Sequence, residues 1–171
     1  MGAVPMNPRL RRLQADYDEI LRAFGGHPHV TVTALGPAPA DRYQVIYNVP
    51  ALVTDDANAL QVRLQHIVQI HLPAGYPREK PYCTIDSNVF HPNFGNYICI
   101  ADFWNPSQSV IDVIVQIGDM LQYKLFNTRS PLNALAAQWA VEHLDRLPVG
   151  DIELFPIEPE VRLLASREEG S

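Results

Sequence analysis

The spacing of apolar residues in this chain changes twice, and each change marks a change of backbone. From Pro8, residues Leu10, Leu13, Tyr17, Ile20, Leu21 and Phe24 recur every three or four positions with charged residues between them, which predicts an amphipathic helix. Asn7 supplies a cap, Pro8 suits a first helical position where the missing amide proton is harmless, and Gly25-Gly26 ends the helix. Beyond Gly26 the period drops to two. Val30 and Val32 alternate with threonines, and Tyr43, Val45 and Tyr47 alternate with polar residues. Val62, Leu64, Ile67, Val68 and Ile70 form a third extended run, and a fourth short strand covers Tyr82 to Ile85. From Ser109 the helical period returns, with Val110, Val113, Ile114, Ile117 and Leu121 on one side and Asp112, Gln116, Asp119 and Gln122 on the other. Leu132, Leu135, Ala136, Trp139, Val141 and Leu144 predict a further helix that stops at Pro148. A helix, then an antiparallel meander of four strands, then helices is an α+β order, not a series of strand-helix-strand units.

At 171 residues and 47% hydrophobic content, the chain fills one core and is short for two. We place one domain over residues 7–147 and a C-terminal extension over 148–171, whose acidic end is expected to fray. Thirteen basic against nineteen acidic side chains give a formal charge of -6, which speaks against a broad nucleic-acid footprint. The balance is uneven: Arg9, Arg11 and Arg12 stand together at the start, while Glu153, Glu158, Glu160, Glu168 and Glu169 gather at the end. Two cysteines make no disulfide framework and no zinc knuckle, so a reducing, cytoplasmic setting is expected, with no metal. No apolar run approaches the length of a membrane span, and the proline- and arginine-containing start is a poor signal peptide.

Two irregular stretches carry the chemistry. The first, Leu72 to Pro81, is broken by proline and glycine and reads as a wrapping loop with Tyr76 pinned inward. The second runs from His91-Pro92-Asn93 through Gly95 and Asn96 to Cys99, with Trp104 and Pro106 following and then the long apolar helix. A lone thiol behind a turn-forming, amide-bearing loop suggests an acyl-carrying cysteine. Cys83, in a short extended run, reads as a core residue, because small thiols are among the most buried side chains. Trp104 reads as a packing lid beneath the loop and Trp139 as core.

The order of these parts resembles the ubiquitin-conjugating enzyme family over roughly Pro8 to Leu147: helix, meander, Tyr76-Pro77 loop, His91-Pro92-Asn93, Ile98-Cys99-Ile100, Trp104, Pro106, helix, Ser130-Pro131-Leu132-Asn133, helix. The resemblance implies the fold of that family and a reaction. Cys99 receives the C-terminal carboxyl of ubiquitin or a ubiquitin-like protein from an activating enzyme as a thioester and passes it to an amine, a substrate lysine in the usual case. It also implies that Asn93 donates a hydrogen bond to the oxyanion, while a side chain of this type can equally close its own turn. His91 and Pro92 read as loop architecture. The same resemblance places Arg9, Arg11 and Arg12 where the family meets its activating enzyme, and Tyr76, Pro77 and Pro106 on loops that meet a ligase. No dissociable cofactor is implied.

The chain departs from the family in three places. The runs from Asn93 to Cys99 and from Cys99 to Trp104 are short, and Ser130 precedes Pro131-Leu132 where the family often has an acidic residue. Ser130 and Asp102 are therefore the candidates for orienting the acceptor. The economical loops suit a divergent, prokaryotic or otherwise specialised pathway. The competing reading is a catalytically inactive binding scaffold of the same fold, against which the retained Cys99 and Asn93 weigh. A papain-like or phosphatase-like site lacks its supporting motifs.

Overall fold

The side chain of Asn7 accepts the Leu10 amide proton at 2.9 Å and starts helix α1, Pro8–Phe24, in the computed structural model, which describes residues 6–100 and 104–155. Six strands follow: β1 Val30–Leu35, β2 Arg42–Tyr47, β3 Ala51–Thr54, β4 Leu60–Arg63, β5 His66–His71 and β6 Tyr82–Ile85. Helices α2, Val110–Leu121, and α3, Ala134–Glu142, and a 3-10 turn over Leu144–Arg146 complete the described chain.

The four-stranded antiparallel sheet has the order β1-β2-β5-β6. The expected third run is in fact two strands. Leu60–Arg63 leaves the sheet to pair with β3 in a separate hairpin, Leu52 opposite Val62, and only His66–His71 joins the sheet, Val68 opposite Val45. The hairpin strand Ala51–Thr54 adds an element that the sequence pattern does not predict. Its Leu52 O accepts Phe90 N–H at 2.8 Å and its Thr54 N–H reaches Asn88 O at 3.0 Å. The hairpin thus fixes the approach to His91.

Alternation along the strands turns Tyr43, Val45, Tyr47, Val68, Ile70 and Cys83 into one core, covered by Leu13, Ile20 and Phe24 of α1 and by Val110, Val113, Ile114, Ile117 and Leu121 of α2. The Val and Ile content of α2 is unfavourable for a helix by propensity, but each such side chain fully buried returns about 1.5–3 kcal/mol, which dominates. Ser109 and Asp112 form a reciprocal capping box that sets where α2 begins. Tyr47 donates its hydroxyl to Ile114 O at 2.7 Å and locks the sheet to α2.

The packing corrects three expectations. In α3 the small residues Ala136, Ala137 and Ala140 face inward, whereas Leu135 is 74% exposed and Val141 and Leu144 are also exposed. Trp139 is only half-buried, in a satellite cluster with Leu52, Tyr123 and Phe90. Finally, packing does not stop at Leu147. The buried amide of Gln122, read from sequence as a surface position, donates to Ile152 O at 3.0 Å and accepts Ile152 N–H at 2.8 Å, and Leu154 lies in the main core over Gly118.

The arginine trio is largely structural. Arg12 bonds Asp16 at 3.1 Å and the carbonyls of Pro106 and Gln108 at 2.7 and 2.6 Å, and its guanidinium lies 5.2 Å from the Tyr76 ring centre. Arg9 reaches Leu72 O and Pro73 O at 3.3 and 3.1 Å. Arg11 is exposed. Asp16 is 3% exposed and also accepts the Tyr76 hydroxyl at 2.5 Å, so one carboxylate joins α1, the Tyr76 loop and the lead-in to α2. Burial, reinforced by that bond, holds the Tyr76 hydroxyl well above its ordinary pKa and so keeps it a donor. Asp16→Ala strands both donors, and chemical denaturation should register a loss of about 3 kcal/mol; an unchanged midpoint would show that the three segments are held by packing alone.

Candidate functional site

Among the described residues between β6 and α2 there is no regular strand, only isolated bridges that pair Val53 with Val89 and Phe94 with Ile98. Its backbone groups must therefore find partners one at a time. His91 supplies two. The imidazole is fully buried between Phe94 and Tyr123, with ring centres 5.0 and 4.7 Å away. Nδ1 accepts Asn93 N–H at 3.0 Å, so the proton sits on Nε2 and is donated to Leu125 O at 2.9 Å. Burial pulls the His91 pKa down to about 4, which keeps the ring neutral and in this tautomer. Pro92 contributes its carbonyl, which accepts Leu132 N–H at 2.8 Å and Asn133 N–H at 3.1 Å and so draws the Ser130-to-Asn133 segment against the loop. Asn133 then caps α3 through Ala136 N–H.

Asn93 is buried, and its amide is paired in both senses with one residue. Oδ1 accepts Asn127 N–H at 2.8 Å, and Nδ2 donates to Asn127 O at 3.0 Å. This fixes the rotamer and uses one of the two Nδ2 protons. The Asn93 carbonyl accepts Cys99 N–H at 2.9 Å, so the backbone of the thiol residue is tied to the same side chain's loop.

The segment Ile98 to Ile100 hangs between two elements. Ile98 N–H donates to Cys83 O on β6 at 2.8 Å, and Ile100 O accepts from the Gln116 amide on α2. Ile98 and Ile100 are buried and Cys99 is half-buried, which directs its thiol outward between them. It opens on a cleft of about 300 Å³ lined by Asn93, Ile100, Gln116, Met120, Leu125, Phe126, Asn127 and Ser130. Its lining mixes the apolar side chains of Ile100, Met120, Leu125 and Phe126 with the amides of Asn93, Gln116 and Asn127 and the hydroxyl of Ser130. Among the described residues lining it, Cys99 alone has an ionisable side chain.

Cys83 is 1% exposed and paired into the sheet opposite Ile70, and burial pushes its thiol up to about 12. Ser130 is exposed on the cleft rim. Asp102 lies outside the described residues. Trp104 belongs with the Tyr76 loop and not with the cleft: Nε1 donates to Pro77 O at 2.6 Å and the ring lies 6.2 Å from Tyr76. Tyr76 itself is buried, which leaves half-buried Pro77 and exposed Pro106 as the outer residues of those two loops. Sequence reasoning missed Gln116 and Asn127. Gln116 looked like a polar interruption of α2, and nothing in the spacing paired Asn127 with a residue 34 positions earlier.

The His91 geometry has a pH consequence. Its folded pKa lies below the value near 6.5 of an unfolded histidine, so the stabilisation is present above pH 6.5 and is lost as pH falls toward 4, while the unfolded chain takes up a proton that the folded chain does not. From pH 7 to pH 5 this amounts to about 2 kcal/mol. Urea unfolding of His91→Gln at the two pH values should show that share of the difference removed, part of the remaining slope coming from His66, also depressed by burial. A slope equal to wild type would mean that His91 is solvated.

A family model described as ubiquitin-conjugating enzyme matches residues 44–146, from within β2 through α3 and the 3-10 turn, which is more than half of the chain. The matched span contains the main-sheet strands β5 and β6, the His91-to-Ile100 loop, α2 and the cleft between them. The chain belongs to the ubiquitin-conjugating enzyme family, and its activity is that family's defining reaction, thioester-mediated transfer carried out with a ubiquitin-type modifier and an activating enzyme.

Proposed function

We propose that Cys99 is the residue that carries the modifier. The observation that supports this is the contrast between the chain's two cysteines: Cys83 is sealed in the sheet with a thiol pushed up to about 12, whereas Cys99 opens on the cleft. A thioester-forming residue needs an accessible thiolate. In the loading step the Cys99 thiolate attacks the carbonyl carbon of the modifier's thioester on the activating enzyme; the new C–S bond forms and the activating enzyme's thiolate leaves. In the discharge step a free amine attacks the same carbon, the C–N bond forms, Cys99 departs as thiolate and the surplus proton on nitrogen is released.

Asn93 stabilises the negative charge that grows on the carbonyl oxygen. Its amide is held by Asn127 through Oδ1 and one Nδ2 proton, and the second Nδ2 proton is the donor available for the oxyanion. The turn-closing role and the catalytic role therefore use different protons of one group. Ser130, on the cleft rim, orients the incoming amine with a hydroxyl in place of a charge. Exposed Arg11 on α1 meets the activating enzyme, and Pro77 and Pro106 are the ligase-facing points. The modifier is ubiquitin or a ubiquitin-like protein, and the acceptor is a polypeptide lysine.

Incubation with activating enzyme, ATP and modifier should add one modifier mass that thiol reductant removes. The adduct should vanish in Cys99→Ala and persist in Cys83→Ala, and loading that survives without Cys99 would overturn the assignment. Asn93→Ala should still load while discharging to free lysine about 100-fold more slowly, in line with the roughly 3 kcal/mol carried by one oxyanion donor. Equal discharge rates would reduce Asn93 to a loop residue, and a thermal melt of the same variant separates that outcome from unfolding.

A further inference from the structure

We infer that the outer edge of β4 is an interface on which a second copy of this chain adds its own β4, joining the two hairpins into one four-stranded antiparallel sheet. No residue of β4 lines the cleft, so this surface does not depend on which residue carries the modifier. β3 and β4 form a sheet of only two strands. The far edge of β3 is covered, since Leu52 O accepts Phe90 N–H and Thr54 N–H donates to Asn88 O. Those bonds fix the direction of the rest. Ala51 and Val53 turn their N–H and C=O groups toward β4, where they meet Arg63 and Gln61. The N–H and C=O groups of Leu60 and Val62 therefore point away from β3, and no described residue bonds them.

The edge is open as well as unpaired. Every residue from Asp56 to Gln65 is exposed, with Leu60, Val62 and Leu64 at 39%, 56% and 66%. An edge left to water is normally blunted by proline, lysine or a bulge. β4 has none of these, and it runs Leu-Gln-Val-Arg in unbroken register with β3. Exposed apolar side chains on one face of such a strand favour the addition of another strand, because backbone bonds and apolar contact are gained together.

The sequence of the edge is complementary to itself. A two-fold axis at Gln61 sets Leu60 opposite Val62 of the second copy, Gln61 opposite Gln61 and Arg63 opposite Ala59. The outward backbone groups of Leu60 and Val62 then bond across the axis, and their side chains meet on one face. A slip by one residue would set the inward-facing groups of Gln61 against outward ones and lose those bonds. A register centred on Val62 would set Leu60 against Leu64, where the chain has already bent out of the strand. Charge agrees with the axis at Gln61. Ala59 donates its N–H to Asp55 Oδ1 at 2.8 Å and accepts Asp55 N–H at 3.0 Å, so Arg63 of one copy arrives beside Asp55 of the other. Within one copy no ion pair holds Arg63 among the described residues. Two short strands bury little surface, so the dimer is weak and depends on concentration.

Sedimentation velocity from micromolar to near-millimolar protein should show a monomer that passes to a dimer as concentration rises. Val62→Pro removes an outward N–H and leaves the bonds to β3 in place, so it should raise the dimer dissociation constant about tenfold with an unchanged melting curve. Arg63→Glu, which sets like charges side by side at Asp55, should act in the same direction. Disulfide capture in a Cys99→Ala background reads the register. Gln61→Cys places two thiols in a non-hydrogen-bonded pair with Cα atoms about 4.5 Å apart, and it should oxidise to a covalent dimer. Arg63→Cys, displaced along the strand from its own copy, should cross-link about tenfold more slowly. A monomer at every concentration would overturn the inference, and so would capture of Arg63→Cys as fast as Gln61→Cys. Should Val62→Pro lower the melting temperature, the two cysteine variants still decide, because neither alters the outward backbone groups.

Discussion

A stretch of chain with no regular strand or helix among its described residues has to hold Cys99 still, and the neutral, buried ring of His91 is what makes that possible. Its two nitrogens are spent in opposite senses, one accepting from Asn93 N–H and one donating to Leu125 O. A protonated ring could not accept, and an exposed one would exchange both bonds for water. Burial that depresses its pKa to about 4 is thus the condition for the geometry. From there the order propagates: Asn93 is fixed, its side chain grips Asn127, its carbonyl holds Cys99 N–H, and the neighbouring Pro92 carbonyl gathers the Ser130 segment. The histidine works on the backbone, which also removes it as an acid or base for the transfer.

The first helix has a comparable double duty. Arg12, Asp16 and Tyr76 form a charge-assisted cluster that is mostly shielded from water, where such bonds are stronger than on the surface. By reaching the carbonyls of Pro106 and Gln108, Arg12 sets the lead-in to Ser109 and hence the start of α2. Since Gln116 of α2 holds Ile100, the position of the thiol is linked to the first helix through two elements. Arginines that look like a docking patch in sequence are for the most part internal ties.

How much of this was legible in the sequence depended on whether the signal was local. The start of α1 at Asn7-Pro8, the start of α2 near Ser109 and the alternation in β2 are all written within a few residues, and they read correctly. The β3-β4 hairpin did not, because Leu64 and Gln65 carry no glycine or proline to announce a break between Arg63 and His66. In α3 the apolar spacing pointed to the large residues, but the space beside Leu52 and Tyr123 admits Ala140 and leaves Leu135 outside. At the site, Cys99, Asn93 and His91 were singled out by their order along the chain, and the roles proposed for them rest on that order. Gln116 and Asn127 were not, because each acts on backbone groups 16 or 34 residues away, and an amide that serves a carbonyl has no motif.

The cleft poses a physical question of its own: how an amine is made nucleophilic where Cys99 alone among the described lining residues can ionise. The apolar part of the lining, Ile100, Met120, Leu125 and Phe126, offers part of an answer. An ammonium brought against it loses hydration without gaining a counter-charge, which favours the neutral amine. For the oxyanion role proposed for Asn93, the same apolar neighbours strengthen the bond from its second Nδ2 proton. A carboxylate in place of Ser130 would act in the opposite sense on the first count, by holding the ammonium charged, while gaining attraction for it in the encounter. A hydroxyl on the rim gives up that attraction and does not hold the ammonium charged.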